Sequence, residues 1–150
     1  MADLAKKQSH LILVNALVEK DGKLLISRRS LNETHEPGKW TIPGGKVDET
    51  SGNVWNIIEE TLAKEVLEET GVKISDDVSL IANNTFIRTT GHHVVVLIFL
   101  CHWESGQAMA LEDTTDVRWI TEKDLDNLKY PPNVRTYLAK GFLEIKKLKK

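Results

Sequence analysis

Cysteine is nearly absent from this chain. Cys101 stands alone among 150 residues, so an internal disulfide is excluded, and no Cys/His spacing suggests a zinc site. A reducing, cytoplasmic setting is the simplest expectation. Charge of one sign is also lacking: the formal net charge is −2, which leaves no basic field to attract a nucleic acid polymer. No apolar run approaches the length of a membrane span. Lys6 and Lys7 precede the run LILVNALV, but Asn15 interrupts it and Asp21-Gly22 follows, so a strand and a turn are expected there rather than a secretory leader. Repeats, low-complexity segments and linkers are missing too. What remains, 41% hydrophobic and 28% charged residues, suits one globular domain over residues 1–150.

The order of elements follows from periodicity and punctuation. Residues 1–8 read as a frayed start and 10–18 as a strand apolar on both faces. Asp21-Gly22 is a hairpin signal. Over 23–29 the alternation sends Leu24, Ile26 and Arg28 one way and Leu25, Ser27 and Arg29 the other. A polar loop at 30–39 leads to a short strand at 40–42, which Pro43 stops. Gly44-Gly45 reads as a tight turn, or as a place where backbone approaches a ligand. A helix is expected from an Asn53 cap to Thr70, ended by Gly71. Strand material over 72–88 is broken by Asp76-Asp77 and Asn83-Asn84. The run HVVVLIFLCH at 93–102 is the expected central strand. A turn and short strand at 103–109, an acidic loop at 112–116 and a strand at 117–120 follow. Thr121 with Asp124 resembles a capping box, and 134–148 is a helix with a Lys-rich end. The fold class is α/β (α+β), a mixed sheet covered by helices rather than a strict βαβ series.

The long helix poses an electrostatic problem. Glu65, Glu68 and Glu69 share one sector, three and four residues apart, beside an apolar stripe of Trp55, Ile58, Leu62 and Val66. They lie in the last two turns, where the helix dipole disfavours each by about 0.3–1 kcal/mol. Lys64 can pair with Glu60 or Glu68 but cannot neutralise all three acids. A solvated acidic face is one reading. The other is a hard divalent cation held by carboxylates together with substrate phosphates.

The run KEVLEETGV at 64–72 resembles the core of the Nudix box, R-E-U-x-E-E-x-G-U with U aliphatic, and Gly44-Gly45-Lys46-Val47 looks like its opening. LLISRRS at 24–30, KWTIPGGK at 39–46, WESGQ at 103–107, Glu112 before Trp119 and YPPN at 130–133 extend the likeness to MutT-type nucleoside triphosphate pyrophosphohydrolases. The resemblance implies a Nudix α/β/α sandwich with a mixed sheet. It implies hydrolysis of a nucleoside diphosphate linked to another group, dependent on Mg2+, with Mn2+ able to substitute. Glu65, Glu68 and Glu69 match the metal-binding acids, the Gly45 carbonyl a further ligand, and Glu112 a loop acid, with Asp113 the near alternative. The general base would be a helix acid such as Glu68, or Glu112. Arg28 and Arg29 match an Arg-Arg pair of which one reaches phosphate, and Asn133 resembles, one residue out of register, an asparagine that reads a purine edge. The implied substrate is a nucleoside triphosphate such as 8-oxo-dGTP, with ADP-ribose or a dinucleoside polyphosphate as alternatives within the class and a non-hydrolytic nucleotide-binding module as the rival outside it. The implied partner is a small nucleotide, not a nucleic acid polymer or a membrane, and the chain would act as a monomer or homodimer.

Two departures from the box stand out. Lys64 replaces its arginine, and lysine cannot copy planar bidentate contacts. The loop after Gly45 is five residues longer than usual, so the box's early glutamate falls on Asn56, with Asp48 or Glu49 as potential substitutes. Trp40, Trp55, Trp103 and Trp119 and the five histidines read as packing or surface residues, Cys101 as an inert buried thiol, and Phe86 and Tyr130 as minor candidates for base contact.

Overall fold

The computed structural model describes residues 9–48 and 50–149. The expected start over 1–8, with Lys6 and Lys7, and Glu49 lie outside the described residues. Strand β1 (Leu11–Lys20) turns at Asp21 and Gly22, both at positive φ, into β2 (Lys23–Arg29). Then come β3 (Trp40–Thr41), β4 (Gly44–Lys46), helix α1 (Ile57–Thr70), β5 (Lys73–Ile74), β6 (Ser79–Ile87), β7 (His93–Ser105) and β8 (Thr114–Ile120). A 3-10 helix (Glu122–Asn127) and α2 (Val134–Leu148) complete the order.

The parallel pairing of β1 with β7, from Leu11↔Val94 to Glu19↔His102, forms the centre of a mixed sheet. Strands β5 and β6 add antiparallel to β7, β4 to β1, and β3 and β8 to β2. Period-two alternation then sorts the side chains into two cores. Leu17, Leu24, Ile26, Val96 and Ile98 meet Val134, Leu138, Phe142 and Ile145 of α2 on one face. Val14, Ala16, Val18, Leu25 and Cys101 meet Leu62 and Val66 of α1 on the other. The result is the expected α/β/α sandwich. Each fully buried Leu or Ile contributes about 1.5–3 kcal/mol, so both helices are held by burial more than by propensity.

Five expectations need correction. Helix α1 begins at Ile57, not near Asn53: Asn56 sits in the left-handed region (φ 61) and its carbonyl accepts the Glu60 N–H at 3.0 Å. Trp55 therefore precedes the helix, is 78% exposed and does not belong to the apolar stripe. Gly44 and Gly45 are not a turn but part of β4, paired with Asn15 and Val14. Asn83 and Asn84 do not break β6, because β7 supplies a continuous ladder through both and Asn84 Nδ2 donates to the Tyr137 hydroxyl at 3.2 Å. The separate short strand expected after 103 is instead the end of β7, which runs on to Ser105.

Candidate active site

Strand β4 is laid against the acidic side of α1. The Gly44 N–H donates to Glu69 Oε2 at 3.0 Å. Gly45 faces Glu65 so closely that a Cβ there would stand 2.6 Å from the Glu65 carboxyl carbon. Only glycine allows this approach. The C-terminal end of α1 is closed by Gly71 (φ 74), whose N–H donates to the Leu67 carbonyl. Two more of its carbonyls take N–H groups from the following loop: Met109 donates to Thr70 O at 2.9 Å and Leu111 to Glu69 O at 3.1 Å. These bonds satisfy orphan helix acceptors and bring Glu112 and Asp113 beside the helix acids. Both residues have positive φ, 28° and 33°, in a tight turn that Ser30 fastens by donating its N–H to Asp113 O at 3.0 Å.

The outcome is a cleft of about 230 Å3 lined by Ser27, Arg29, Glu33, Thr41, Glu65, Glu69, Glu112, Asp113 and Thr114. Burial pushes the Glu69 carboxyl up to about 8; Glu65 and Glu112 push the same way, against the Gly44 N–H and Arg29. Glu65 is raised chiefly by burial and then by the charge of Glu68, with Lys64 opposing. Carboxylates that resist ionisation together are hard oxygen donors that suit a divalent cation such as Mg2+. Among the described residues, no three acidic, His or Cys side chains already converge in a cage. The donor set is an open cleft wall, the arrangement expected where substrate phosphates share the coordination. At the cleft, Ser27 Oγ is buried without a hydrogen-bond partner.

The sequence-expected residues divide cleanly. Glu65, Glu69, Glu112 and Arg29 come together in the cleft, and Gly45 backs it through Glu65. Glu68 lies beside Glu65, close enough to raise it, without lining the cleft. Arg28 is on the other face of β2, where its Nε donates to Gly38 O at 2.9 Å, and it lines neither cleft. Of the two arginines, Arg29 is the one that lines the clefts; it donates from Nε to His35 O at 2.9 Å and approaches Glu33 at 3.5 Å. Lys64 pairs with Asp48 of the long loop at 3.8 Å, with both side chains more than half exposed. Asn133, left-handed at the start of α2 (φ 77), lies in a second cleft of about 460 Å3 with Asn15, His35, Phe86, Arg88 and Tyr137. Arg29 and Thr41 line both clefts. Tyr130 is turned away, donating its hydroxyl to Leu125 O at 2.9 Å. Sequence reasoning missed Ser27, Thr41, Asn15 and Arg88; the outward alternation of β2 was the one signal pointing to the first of these.

The NUDIX domain matches residues 9–140. The chain belongs to the Nudix family. Among its relatives is a MutT-like protein of Streptomyces ambofaciens, 33% identical over 116 residues; the match covers 75% of this chain and 64% of that protein. The nucleoside triphosphatase NudI of Escherichia coli O139:H28 is 30% identical over 146 residues, covering 87% of this chain and 96% of the relative. A crystal structure of a MutT NUDIX hydrolase from Burkholderia pseudomallei superposes with a TM-score of 0.71 at 26% identity, covering 89% and 98% of the two chains. This Nudix protein is therefore an enzyme, a hydrolase of a family that acts on small nucleotides and generally uses divalent cations. No described helix is long and apolar enough to cross a membrane.

Proposed function

We propose that this Nudix hydrolase cleaves a nucleoside triphosphate to nucleoside monophosphate and pyrophosphate, with Mg2+ as the physiological cation and Mn2+ able to replace it. The observation that carries the reading is the junction of the two clefts. An acidic one and a larger, more apolar one meet at Arg29 and Thr41, so phosphates and nucleoside have adjoining places. Glu65, Glu69 and Glu112, with Glu68 and the Gly45 carbonyl beside them, would hold the cation. When bound, it neutralises phosphate charge and lowers the pKa of the attacking water. The protein's own residues do the rest. Arg29 fixes a phosphate oxygen. Glu112 takes the proton from water in preference to Glu68, because Glu112 lines the cleft. Glu69 would hold the cation in its ionised, carboxylate form. In the larger cleft Asn133 and Phe86 contact the base, for which we propose an oxidised purine such as that of 8-oxo-dGTP. Residues 1–150 act as one domain, as a monomer or homodimer in the cytoplasm, where the free thiol of Cys101 is at home.

The test is to incubate the protein and Mg2+ with ordinary and oxidised triphosphates, ADP-ribose and dinucleoside polyphosphates, and to identify the products. Monophosphate and pyrophosphate from a triphosphate, at the highest kcat/KM of the panel, are expected. A clear preference for ADP-ribose or a dinucleotide would replace the substrate assignment, and tight binding without turnover would make the protein a binding module.

A further inference from the structure

We propose that Ser27 donates a hydrogen bond to an oxygen of the bound phosphate chain, and that its hydroxyl is left unpaired in the free protein for that contact. The inference rests on the nucleotide reading above and adds a substrate-binding residue to it.

Position 27 ought to be apolar. It lies in β2 directly after Leu24, Leu25 and Ile26, all fully buried, and Ser27 itself is 1% exposed. A buried strand position favours a β-branched or aliphatic side chain. A serine there withdraws a hydroxyl from water, and Ser27 Oγ receives no compensating bond from the protein. Among the described residues it is the buried side-chain nitrogen or oxygen left in that condition. Such groups are rare in native structures and call for a cause.

The cause is visible in what Ser27 lines. Strand alternation puts it on the α1 side of the sheet with Leu25 and Arg29, and it shares the acidic cleft with Arg29, Glu65 and Glu69. Its cross-strand partner Thr41 lines the same cleft. Glu69 Oε2 already accepts the Gly44 N–H, and the Ser27 hydroxyl is not bonded to either helix acid. Arg29, two residues along the strand, has a side chain 31% exposed and marks the open end; Ser27 marks the buried end. A cation held by carboxylates draws phosphate oxygens into this space. A neutral donor at the buried end suits such an oxygen, because it adds a hydrogen bond without competing with the cation for the acids.

The hydroxyl therefore has opposite effects on the free and the bound protein, and that opposition is measurable. Calorimetric titration of wild type, Ser27→Ala and Ser27→Thr with inorganic pyrophosphate in Mg2+ reads the contact without turnover and without a choice of base. Melting temperatures of the three free proteins read the structural effect. Ser27→Ala should bind pyrophosphate about 10-fold more weakly while melting at the same or a higher temperature, and Ser27→Thr should keep most of the affinity. Unchanged affinity in Ser27→Ala would overturn the inference and reduce the hydroxyl to a water site. Loss of stability or of folding in Ser27→Ala would equally overturn it, since the hydroxyl would then serve the free structure. Failure of the wild type to bind pyrophosphate would remove the nucleotide reading itself, and Ser27 with it.

Discussion

The two clefts that meet at Arg29 are built by different rules. The acidic one takes both of its helix acids, Glu65 and Glu69, from a single helix at a spacing of four residues, and sets them against β2, β3, the start of β8 and the loops that carry Glu33 and Glu112. The larger one is assembled from β1, β6, β7, the 30–39 loop and the start of α2, joined to the first through Arg29 of β2 and Thr41 of β3, with no period linking Asn15, His35, Phe86, Arg88 and Asn133. Chemistry held on one rigid helix can be shared across a family while the substrate-facing wall varies through unrelated segments. If that division is right, damage to the first cleft should slow turnover and damage to the second should change which nucleotide is preferred.

The largest effect is expected from Glu69→Gln. It removes a carboxylate from the cation's shell and should lower kcat by at least about 100-fold, with an unchanged circular dichroism spectrum. A kcat near wild type would remove the helix acids from the mechanism. Gly45→Ala comes next. Its Cβ would collide with the flexible carboxyl end of Glu65 rather than with backbone, so the loss should fall on activity, roughly 10-fold, more than on melting temperature. In the second cleft, Asn133→Asp keeps a residue that tolerates positive φ but exchanges a donor for an acceptor. It should raise KM and alter the ranking of bases, with kcat within a few-fold; an unaltered ranking would take Asn133 out of the base site.

The pH dependence of the metal-free protein is a further test of the acidic cleft. Glu69 has a folded-state pKa raised to about 8, above its unfolded value, so the folded protein favours its protonated form. Its contribution to stability is complete below the unfolded pKa and is lost as pH rises through about 8. In EDTA the melting temperature should therefore decline from about pH 5 to pH 8, and Glu69→Gln should flatten that decline. Added Mg2+ should restore most stability at the upper end, where the carboxylate is ionised. The smallest effect is expected from Lys64→Ala. The pair with Asp48 is exposed, so stability should change by less than about 0.5 kcal/mol, and a large loss of kcat would show that Lys64 positions the box acids after all.

Much of this was legible in the residues, and the limits have physical causes. Strand β2 and helix α2 fall at their expected bounds because alternation, the Asp21-Gly22 turn and the Pro131-Pro132 break punctuate them. Gly71 ends α1 as expected. The start of α1 differs because Asn53 has the residue type of a cap, whereas the chain enters the helix through Asn56 in the left-handed region with no side-chain cap bond, and only the tertiary structure shows Trp55 outside the core. Gly44 and Gly45 read as a turn because glycine signals loops, whereas here its lack of a Cβ permits a strand to press against Glu65. Alternation put Arg28 and Arg29 on opposite faces but left open which of them enters the cleft, because the pattern of one strand does not say which face the acidic helix covers. That Ser27 lacks a partner follows from packing and has no counterpart in the sequence pattern.

Arg28 and Arg29 also provide the most direct test of the joined-cleft reading. They are adjacent, and each Nε holds one loop carbonyl at 2.9 Å, so truncation should cost similar local structure. Only Arg29 faces the clefts. The measurement is kcat/KM on the preferred triphosphate for Arg28→Ala and Arg29→Ala side by side. The expected result is a loss of about 30-fold or more for Arg29→Ala and less than about 3-fold for Arg28→Ala; equal losses, or the larger loss at Arg28, would contradict a site centred on Arg29.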